Sequence, residues 1–267
     1  MRLGMVAPLE HAHAMQQAGF DYLEVQIRSV LDGRLDDDAW RAGAPNPASL
    51  PLPLEAGAGL LPADMPVIGP ERDLDALRLY MERVAARARA LGIDVLVFGS
   101  GGARKRPDDV SPDAALRQLV EFCQLAGDAC AAHDVTLVVE HLNRGETNTI
   151  NTLVQERQLV EKAHHPRVAG LVDSYHFGVE NDSSEDLLAL AGRIAHVHLA
   201  EPSGRHEPGH PADAEQAFDF EDFFSLLHKI GYDGRFSIEG KLTGPIEEVA
   251  APCLTNLREL WQAAATA

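Results

Sequence analysis

Short apolar runs alternate with helical patterns along most of this sequence of 267 residues. Eight candidate strands lie at about residues 2–7, 21–27, 50–57, 94–99, 135–141, 168–174, 194–200 and 235–240. Helical patterns lie at residues 10–18, 73–91, 112–133, 152–163, 184–191, 220–230 and 245–264. The third strand is the weakest, because it lies among several prolines and glycines. The alternation predicts an α/β protein with a single (β/α)8 TIM barrel over residues 1–267, since such barrels have roughly 250 residues.

The composition is that of an ordinary globular protein, with 45% apolar and 24% charged residues. No apolar stretch approaches the roughly 20 residues that a membrane helix needs. The start of the chain, residues 1–8, has too short an apolar part for a signal peptide and is interpreted as the first strand. Three cysteines without CxxC spacing favour a reducing compartment. We therefore expect a cytoplasmic protein without a membrane partner.

The formal net charge of −18 argues against a nucleic-acid partner, because phosphate backbones are bound by clustered Lys and Arg. A local basic group could still hold one small anion, so a phosphorylated sugar stays open. The sequence also argues against a nucleotide-binding fold. No G-x-G-x-x-G follows the first strand, and no G-x-x-x-x-G-K-S/T occurs in the sequence.

Four of the candidate strands end in a residue that can bind a metal. The apolar run at residues 136–139 leads into Glu140, and the later strands offer Asp173, His198 and Glu239. The carboxyl ends of barrel strands are where TIM barrels carry their chemistry. A single such carboxylate would usually form an ordinary ion pair. Three oxygen donors and one imidazole at successive strand ends instead predict one divalent ion: Mn²⁺, Mg²⁺ or Co²⁺.

Four segments carry motifs in a fixed order. Residues 140–146 read E-H-L-N-R-G-E, residues 173–176 read D-S-Y-H, and residues 237–239 read S-I-E. Between the last two, H-L-A-E at residues 198–201 is followed by G-R-H-E-P-G at residues 204–209. In this order they resemble the motifs of the xylose-isomerase-like TIM barrels. Within that family they are most similar to the sugar phosphate isomerase/epimerase group, with its ketose 3-epimerases and hydroxypyruvate isomerases.

The resemblance implies a role for each matching position. It places the metal on Glu140, Asp173, His198 and Glu239. It places His176 and Arg205 at the substrate oxygen near the carbonyl, and Glu146 at the substrate end or at a catalytic partner. The implied activity is C3 epimerisation or aldose–ketose type isomerisation of a small ketose or hydroxy-carbonyl compound.

The chemistry supports such a reaction independently of the resemblance. A proton next to a carbonyl is weakly acidic, and a divalent ion that bridges two vicinal oxygens stabilises the cis-enediolate formed when that proton leaves. Two carboxylates can then remove and return the proton. We assign this pair to Glu140 and Glu239, which come from the fifth and eighth strands.

Several neighbouring residues have more than one interpretation. His196 shares a strand face with His198, so it is either a partner of the site or a packed barrel histidine. His141 should face the helix layer, opposite Glu140. Glu24 either fixes a substrate hydroxyl or braces a loop. Three charged residues are expected as solvated charges at the barrel mouth: Arg144, Glu201 and Lys241.

Other functions compete with the isomerase. An inosose-type dehydratase could use the same metal and carboxylates, so the sequence leaves it open. An endonuclease IV-like DNA-repair enzyme would need further histidines from the third and fourth strands, and the chain has none between His13 and His133. A non-catalytic sugar-binding barrel would not need both Glu140 and Glu239. The expected partner is a small sugar or sugar-like substrate, and a homodimer or homotetramer stays open.

Overall fold

Eight parallel strands close into one barrel in the computed structural model, which describes residues 1–266. Each strand pairs with its neighbours in sequence order, and the last strand pairs with the first. The strands are β1 (Arg2–Val6), β2 (Tyr22–Gln26), β3 (Leu54–Ala58), β4 (Val95–Phe98), β5 (Thr136–Glu140), β6 (Val168–Asp173), β7 (Ile194–Leu199) and β8 (Arg235–Ile238). The predicted (β/α)8 barrel is therefore confirmed.

Helices fill the connections between the strands. They are α1 (Ala12–Ala18), α2 (Ile27–Val30), α3 (Asp37–Gly43), α4 (Leu74–Leu91), α5 (Pro112–Ala131), α6 (Leu153–Ala163), α7 (Ser174–Glu180), α8 (Ser184–Leu188), α9 (Phe220–Lys229) and α10 (Ile246–Ala264). Side-chain caps start several of them: Asp73 accepts from Ala76 N, and Ser111 accepts from Ala114 N. Gly92 ends α4 in the left-handed region, at φ 84°. None of the helices in residues 1–266 is long and apolar enough to cross a membrane.

The third strand begins later than residues 50–57 predict, at Leu54. Two prolines explain the shift, because Pro51 and Pro53 have no N–H to donate to a sheet. The carbonyl of Pro53 still accepts a hydrogen bond from Leu23 N at 2.9 Å. The short helices α2, α3 and α7 were not predicted. Helix α7 starts directly after β6, where the Asp173 side chain accepts from Tyr175 N at 2.7 Å.

The two faces of the strands enter different environments. Outward-facing residues such as Leu23 and Leu137 join the large apolar core beneath the helices. A second, smaller apolar cluster includes Tyr22 and Val138. Tyr22 shows that polar groups also meet inside the barrel, because its hydroxyl lies 2.7 Å from Ser237 Oγ and both residues are fully buried. The alternation along each strand thus separates a continuous outer core from a barrel interior that can carry polar side chains.

Candidate metal centre

The four predicted metal ligands lie together at one end of the barrel. Glu140 ends β5, Asp173 ends β6, His198 lies near the end of β7, and Glu239 directly follows β8. One ligand atom from each lies within 4.8 Å of the others. The first three residues are buried and Glu239 is partly buried. The carboxyl ends of parallel strands converge on one rim, which explains how positions so distant in sequence meet.

Three carboxylates in one buried cluster repel each other. Burial, together with the nearby Glu140 carboxylate, raises the pKa of Asp173 to about 7. Asp173 Oδ2 is a buried oxygen without a hydrogen-bond partner among the residues described. A divalent cation would supply the missing partner and neutralise the repulsion. The donor set of carboxylate oxygens and one imidazole nitrogen fits such a cation.

A fifth residue, Glu24, lies behind this cluster inside the barrel. His198 directs Nδ1 towards Glu140 Oε1 at 3.4 Å and Glu239 Oε2 at 3.3 Å, and its Nε2 lies 3.1 Å from Glu24 Oε1. Glu24 Oε2 lies 2.8 Å from His196 Nε2. Both predicted roles of Glu24 are wrong, because the residue is fully buried and both of its oxygens contact histidines. His196 is fully buried in the barrel and pairs with Glu24, but it is not among the four clustered residues.

His176 presents one free donor to the cluster. Its Nδ1 accepts from Asn143 N at 3.0 Å and also faces Asn143 Nδ2 at 3.1 Å. Both Asn143 groups are donors, so the proton of the neutral ring is on Nε2. This Nε2 lies 3.7 Å from Asp173 Oδ2 and 4.0 Å from Glu140 Oε1, and within residues 1–266 it has no hydrogen-bond partner. Burial lowers the pKa of His176 and keeps the ring neutral.

Arg205 brings a fixed positive charge to the mouth of the cluster. Its Nη2 lies 2.8 Å from Glu239 Oε2, and its Nη1 lies 3.0 Å from Glu146 Oε1. The guanidinium packs over the Tyr175 ring at 4.6 Å from the centroid. Its backbone is left-handed, at φ 52°, which is costly for a residue other than glycine. The three predicted substrate-binding residues, His176, Arg205 and Glu146, thus lie beside the four predicted ligands.

Buried carboxylates fix the loop that carries Arg205. Glu201 was predicted as a solvated rim charge, and this is wrong: it is buried and accepts from Gly209 N at 2.8 Å and Phe218 N at 3.1 Å. Glu207 is buried too and accepts from Thr243 N at 3.0 Å. Backbone donors, from this loop for Glu201 and from the segment after β8 for Glu207, replace the water that both side chains lose. The two other charges predicted at the rim are exposed: Arg144 and Lys241.

The outer side of the β5 end holds a separate polar group. His141 faces the helix layer, as its position next to Glu140 predicts. Its Nδ1 lies 3.1 Å from Glu156 Oε2 and its Nε2 lies 3.3 Å from Asp182 Oδ2. Burial opposes protonation, but the two carboxylates outweigh it and raise the pKa of His141 to about 9. This group connects β5 to α6 and to the segment after α7.

Two residues after β4 position Glu140, and neither was assigned a role in the sequence analysis. Arg104 is fully buried and donates from Nη1 to Phe98 O at 3.2 Å and to Glu140 O at 2.7 Å. Burial lowers its pKa to about 10. Gly99 leaves space for the carboxylate of Glu140, because a Cβ atom at this position would collide with Glu140 Oε2. The signal that could have found Gly99 is the G-S-G-G run directly after the fourth strand, whereas nothing in the sequence distinguishes Arg104 from other arginines.

Known proteins match this chain over most of its length. A family model described as "Xylose isomerase-like TIM barrel" matches residues 12–260. The L-ribulose 3-epimerase of Methylomonas sp. strain DH-1 is 23% identical over 250 residues, which are 92% of this chain and 81% of that protein. The 3-dehydro-D-guloside 4-epimerase of Escherichia coli K12 is 25% identical over 178 residues, 64% of this chain and 66% of that protein. A solved structure of L-ribulose 3-epimerase has a TM-score of 0.80 at 21% identity and covers 99% of this chain and 96% of its own, which shows a shared fold.

Proposed function

Because the chain belongs to the xylose isomerase-like TIM barrel family, we propose that it is a divalent-metal-dependent epimerase or isomerase of a small ketose or hydroxy-carbonyl compound. The observation that carries the proposal is the buried cluster of three carboxylates and one imidazole at the barrel mouth. The two curated relatives described above are epimerases by name, one acting at position 3 and one at position 4. The position of the reacting carbon in this chain's substrate is therefore left to experiment.

Glu140, Asp173, His198 and Glu239 would hold the metal ion. Oxygen donors with one nitrogen suit Mn²⁺, Mg²⁺ or Co²⁺. Structural zinc sites, in contrast, are typically rich in sulfur ligands. When bound, the ion supplies positive charge that stabilises the cis-enediolate. The free oxygen of Asp173 and its raised pKa, about 7, support a cation at this place.

Glu140 and Glu239 are the proposed proton-transfer pair. They approach the cluster from β5 and from the end of β8, and both lie close to His198 Nδ1. Burial opposes ionisation of Glu239, but the nearby His198 and Arg205 outweigh it and lower its pKa, so the carboxylate is in the ionised form that a general base requires. For epimerisation, one carboxylate removes the proton from carbon and the other returns a proton to the opposite face. For isomerisation, the proton returns to the neighbouring carbon.

His176 and Arg205 are the proposed donors to the substrate oxygen. The Nε2–H of His176 is free to donate, because Asn143 already occupies Nδ1. Arg205 is held in place by Glu239 and Glu146, so its guanidinium needs little reorganisation to donate as well. The exposed part of Glu146 can accept from a substrate hydroxyl. The proposed sugar or sugar-like substrate therefore meets donors near its carbonyl and an acceptor at the rim.

A substrate panel tests this proposal. Protein treated with a chelator is assayed with ketoses of different chain length, with their phosphates and with hydroxypyruvate, before and after Mn²⁺, Mg²⁺ or Co²⁺ is added. Chiral chromatography and mass analysis identify the products. We expect a mass-neutral conversion that requires the metal. Loss of one water would instead identify an inosose-type dehydratase, and a conversion unaffected by chelation would contradict the metal site.

A further inference from the structure

A carboxylate deep in the barrel connects the two histidines of β7. Glu24 comes from β2, and its oxygens lie 3.1 Å from His198 Nε2 and 2.8 Å from His196 Nε2. All three side chains are fully buried. The strands β2 and β7 are not neighbours in the barrel, so this contact crosses its interior. Glu24 is buried and both of its oxygens contact histidines, so it is not placed to bind a substrate at the barrel mouth.

The two ring nitrogens of His198 face different carboxylates, Nε2 that of Glu24 and Nδ1 those of Glu140 and Glu239. An ionised carboxylate can only accept hydrogen bonds, so Glu24 requires a proton on Nε2 of each histidine. When a cation takes the place of a proton on Nδ1, the ring is neutral, keeps its proton on Nε2 and offers the Nδ1 lone pair to the cation. That Nδ1 is the atom that faces Glu140 Oε1 at 3.4 Å and Glu239 Oε2 at 3.3 Å. The ring is therefore oriented with its metal-binding atom towards the other three candidate ligands.

We propose that Glu24 is a positioning residue for metal binding, which holds His198 in the tautomer and orientation that direct Nδ1 to the cation. His196 completes the arrangement by occupying the second oxygen of Glu24. The inference rests on the metal site of the proposed function and extends it to a residue outside the ligand cluster. A carboxylate that accepts from the second ring nitrogen raises the basicity of a metal-binding histidine and commonly contributes about 10- to 100-fold in metal affinity.

The burial of Glu24 fits this role better than a purely structural one. A buried carboxylate is costly to desolvate, and apolar residues fill a barrel interior at lower cost. Here the cost is offset by two hydrogen bonds, one of which leads directly to a ligand. A purely structural network would make the bonds to His196 and to His198 equivalent in their effects. A positioning role makes the bond to His198 the one that affects the metal.

Titration with Mn²⁺, followed by electron paramagnetic resonance, separates the two roles. Glu24→Gln keeps the side-chain volume but replaces one oxygen with a donor, so the histidines lose an ionised acceptor. We expect its Mn²⁺ affinity to fall about 10- to 100-fold. The matched control, His196→Phe, removes the other hydrogen bond to Glu24 and should lose far less affinity. Equal losses in both variants, or a parent-like affinity of Glu24→Gln, would overturn the inference.

A second measurement needs no variant. In parent protein with ¹⁵N-labelled histidine and saturating Mg²⁺, long-range ¹H–¹⁵N correlation spectra report the tautomer of each ring. We expect His198 to carry its proton on Nε2, and a proton on Nδ1 would overturn the inference even if Glu24→Gln did not fold. Failure of the parent to bind Mn²⁺ or Mg²⁺ would contradict the proposed function itself. Binding by the parent without an effect of Glu24→Gln would contradict only the role of Glu24.

Discussion

The carboxylate of Glu140 extends into the space beside Gly99 that a Cβ atom would occupy. The two residues come from adjacent strands, because β4 ends just before Gly99 and β5 ends at Glu140. Arg104 holds the backbone at the same place through its hydrogen bond to Glu140 O, at 2.7 Å. Both the side chain and the backbone of this proposed catalytic residue are thus fixed by the segment that follows β4.

Gly99→Ala should displace Glu140 and reduce function without unfolding the protein. Gly99 does not have a positive φ, so alanine is tolerated by the backbone and only the carboxylate is affected. A misplacement of about 1 Å can cost about 100-fold in rate. We expect a loss of this order in kcat/KM, together with weaker Mn²⁺ binding. Gly43→Ala is the control, since a Cβ there meets nothing within 4 Å. Parent-like kinetics of Gly99→Ala would refute the steric argument.

Arg104→Met should lower the free energy of unfolding. The substitution leaves the carbonyls of Phe98 and Glu140 without the donor that they share. An unsatisfied buried group costs about 1–3 kcal/mol, so we expect a loss of roughly 2–4 kcal/mol. Urea denaturation of metal-free protein measures it. The control Arg78→Met changes an exposed arginine of α4 and should leave stability near that of the parent. Equal stability of both variants would show that Arg104 is dispensable for the fold.

Sequence patterns predicted the barrel and the gathering of Glu140, Asp173, His198 and Glu239, because both follow from where parallel strands end. The metal-binding and catalytic roles of these residues stay predictions. Glu24 was misinterpreted for a physical reason: its partners, His196 and His198, lie across the barrel, and strand alternation specifies a face without specifying the residue opposite. Position along the chain likewise does not predict which other polar residues are buried, such as Arg104 and Glu207.

Glu201 and the third strand also differ from what the sequence pattern predicts. Glu201 follows a strand and is charged, which is typical of a rim residue, yet the loop folds back and gives it two backbone donors. Residues 50–53 are apolar enough for a strand, but Pro51 and Pro53 delay the sheet until Leu54. Such outcomes depend on loop conformation and on hydrogen-bond supply, which periodicity does not encode.

Arg205→Ala should impair turnover while the metal still binds. The side chain contacts Glu239 and Glu146 and is not among the four clustered ligand residues. Loss of one preorganised donor at a developing negative charge costs about 100- to 1,000-fold in kcat. Steady-state kinetics and elemental analysis should be measured on the same preparation. Arg117→Ala removes an exposed arginine of α5 as a control. If Arg205→Ala folds but loses the metal, Arg205 instead supports metal binding.

Metal binding should stabilise the parent and not Asp173→Asn. Asparagine keeps the oxygen that accepts from Tyr175 N and removes a carboxylate whose pKa is raised to about 7. A raised pKa means that the ionised form destabilises the fold at higher pH, so metal-free Asp173→Asn should be at least as stable as the metal-free parent at pH 8. Free Mn²⁺ at about 100 times its Kd adds about 2.7 kcal/mol to the free energy of unfolding of the parent. Thermal unfolding with and without Mn²⁺ measures this, and an equal shift in both proteins would contradict the site.

The proton-transfer pair is the central claim, and its test is turnover in D₂O by the parent, Glu140→Gln and Glu239→Gln at measured metal content. For the parent, NMR of the product should show deuterium on the carbon next to the carbonyl, because carboxylates commonly exchange their proton with solvent. Each glutamine variant should abolish turnover even when the metal is bound at saturating concentration. Retained turnover in either metal-loaded variant would contradict the two-carboxylate mechanism.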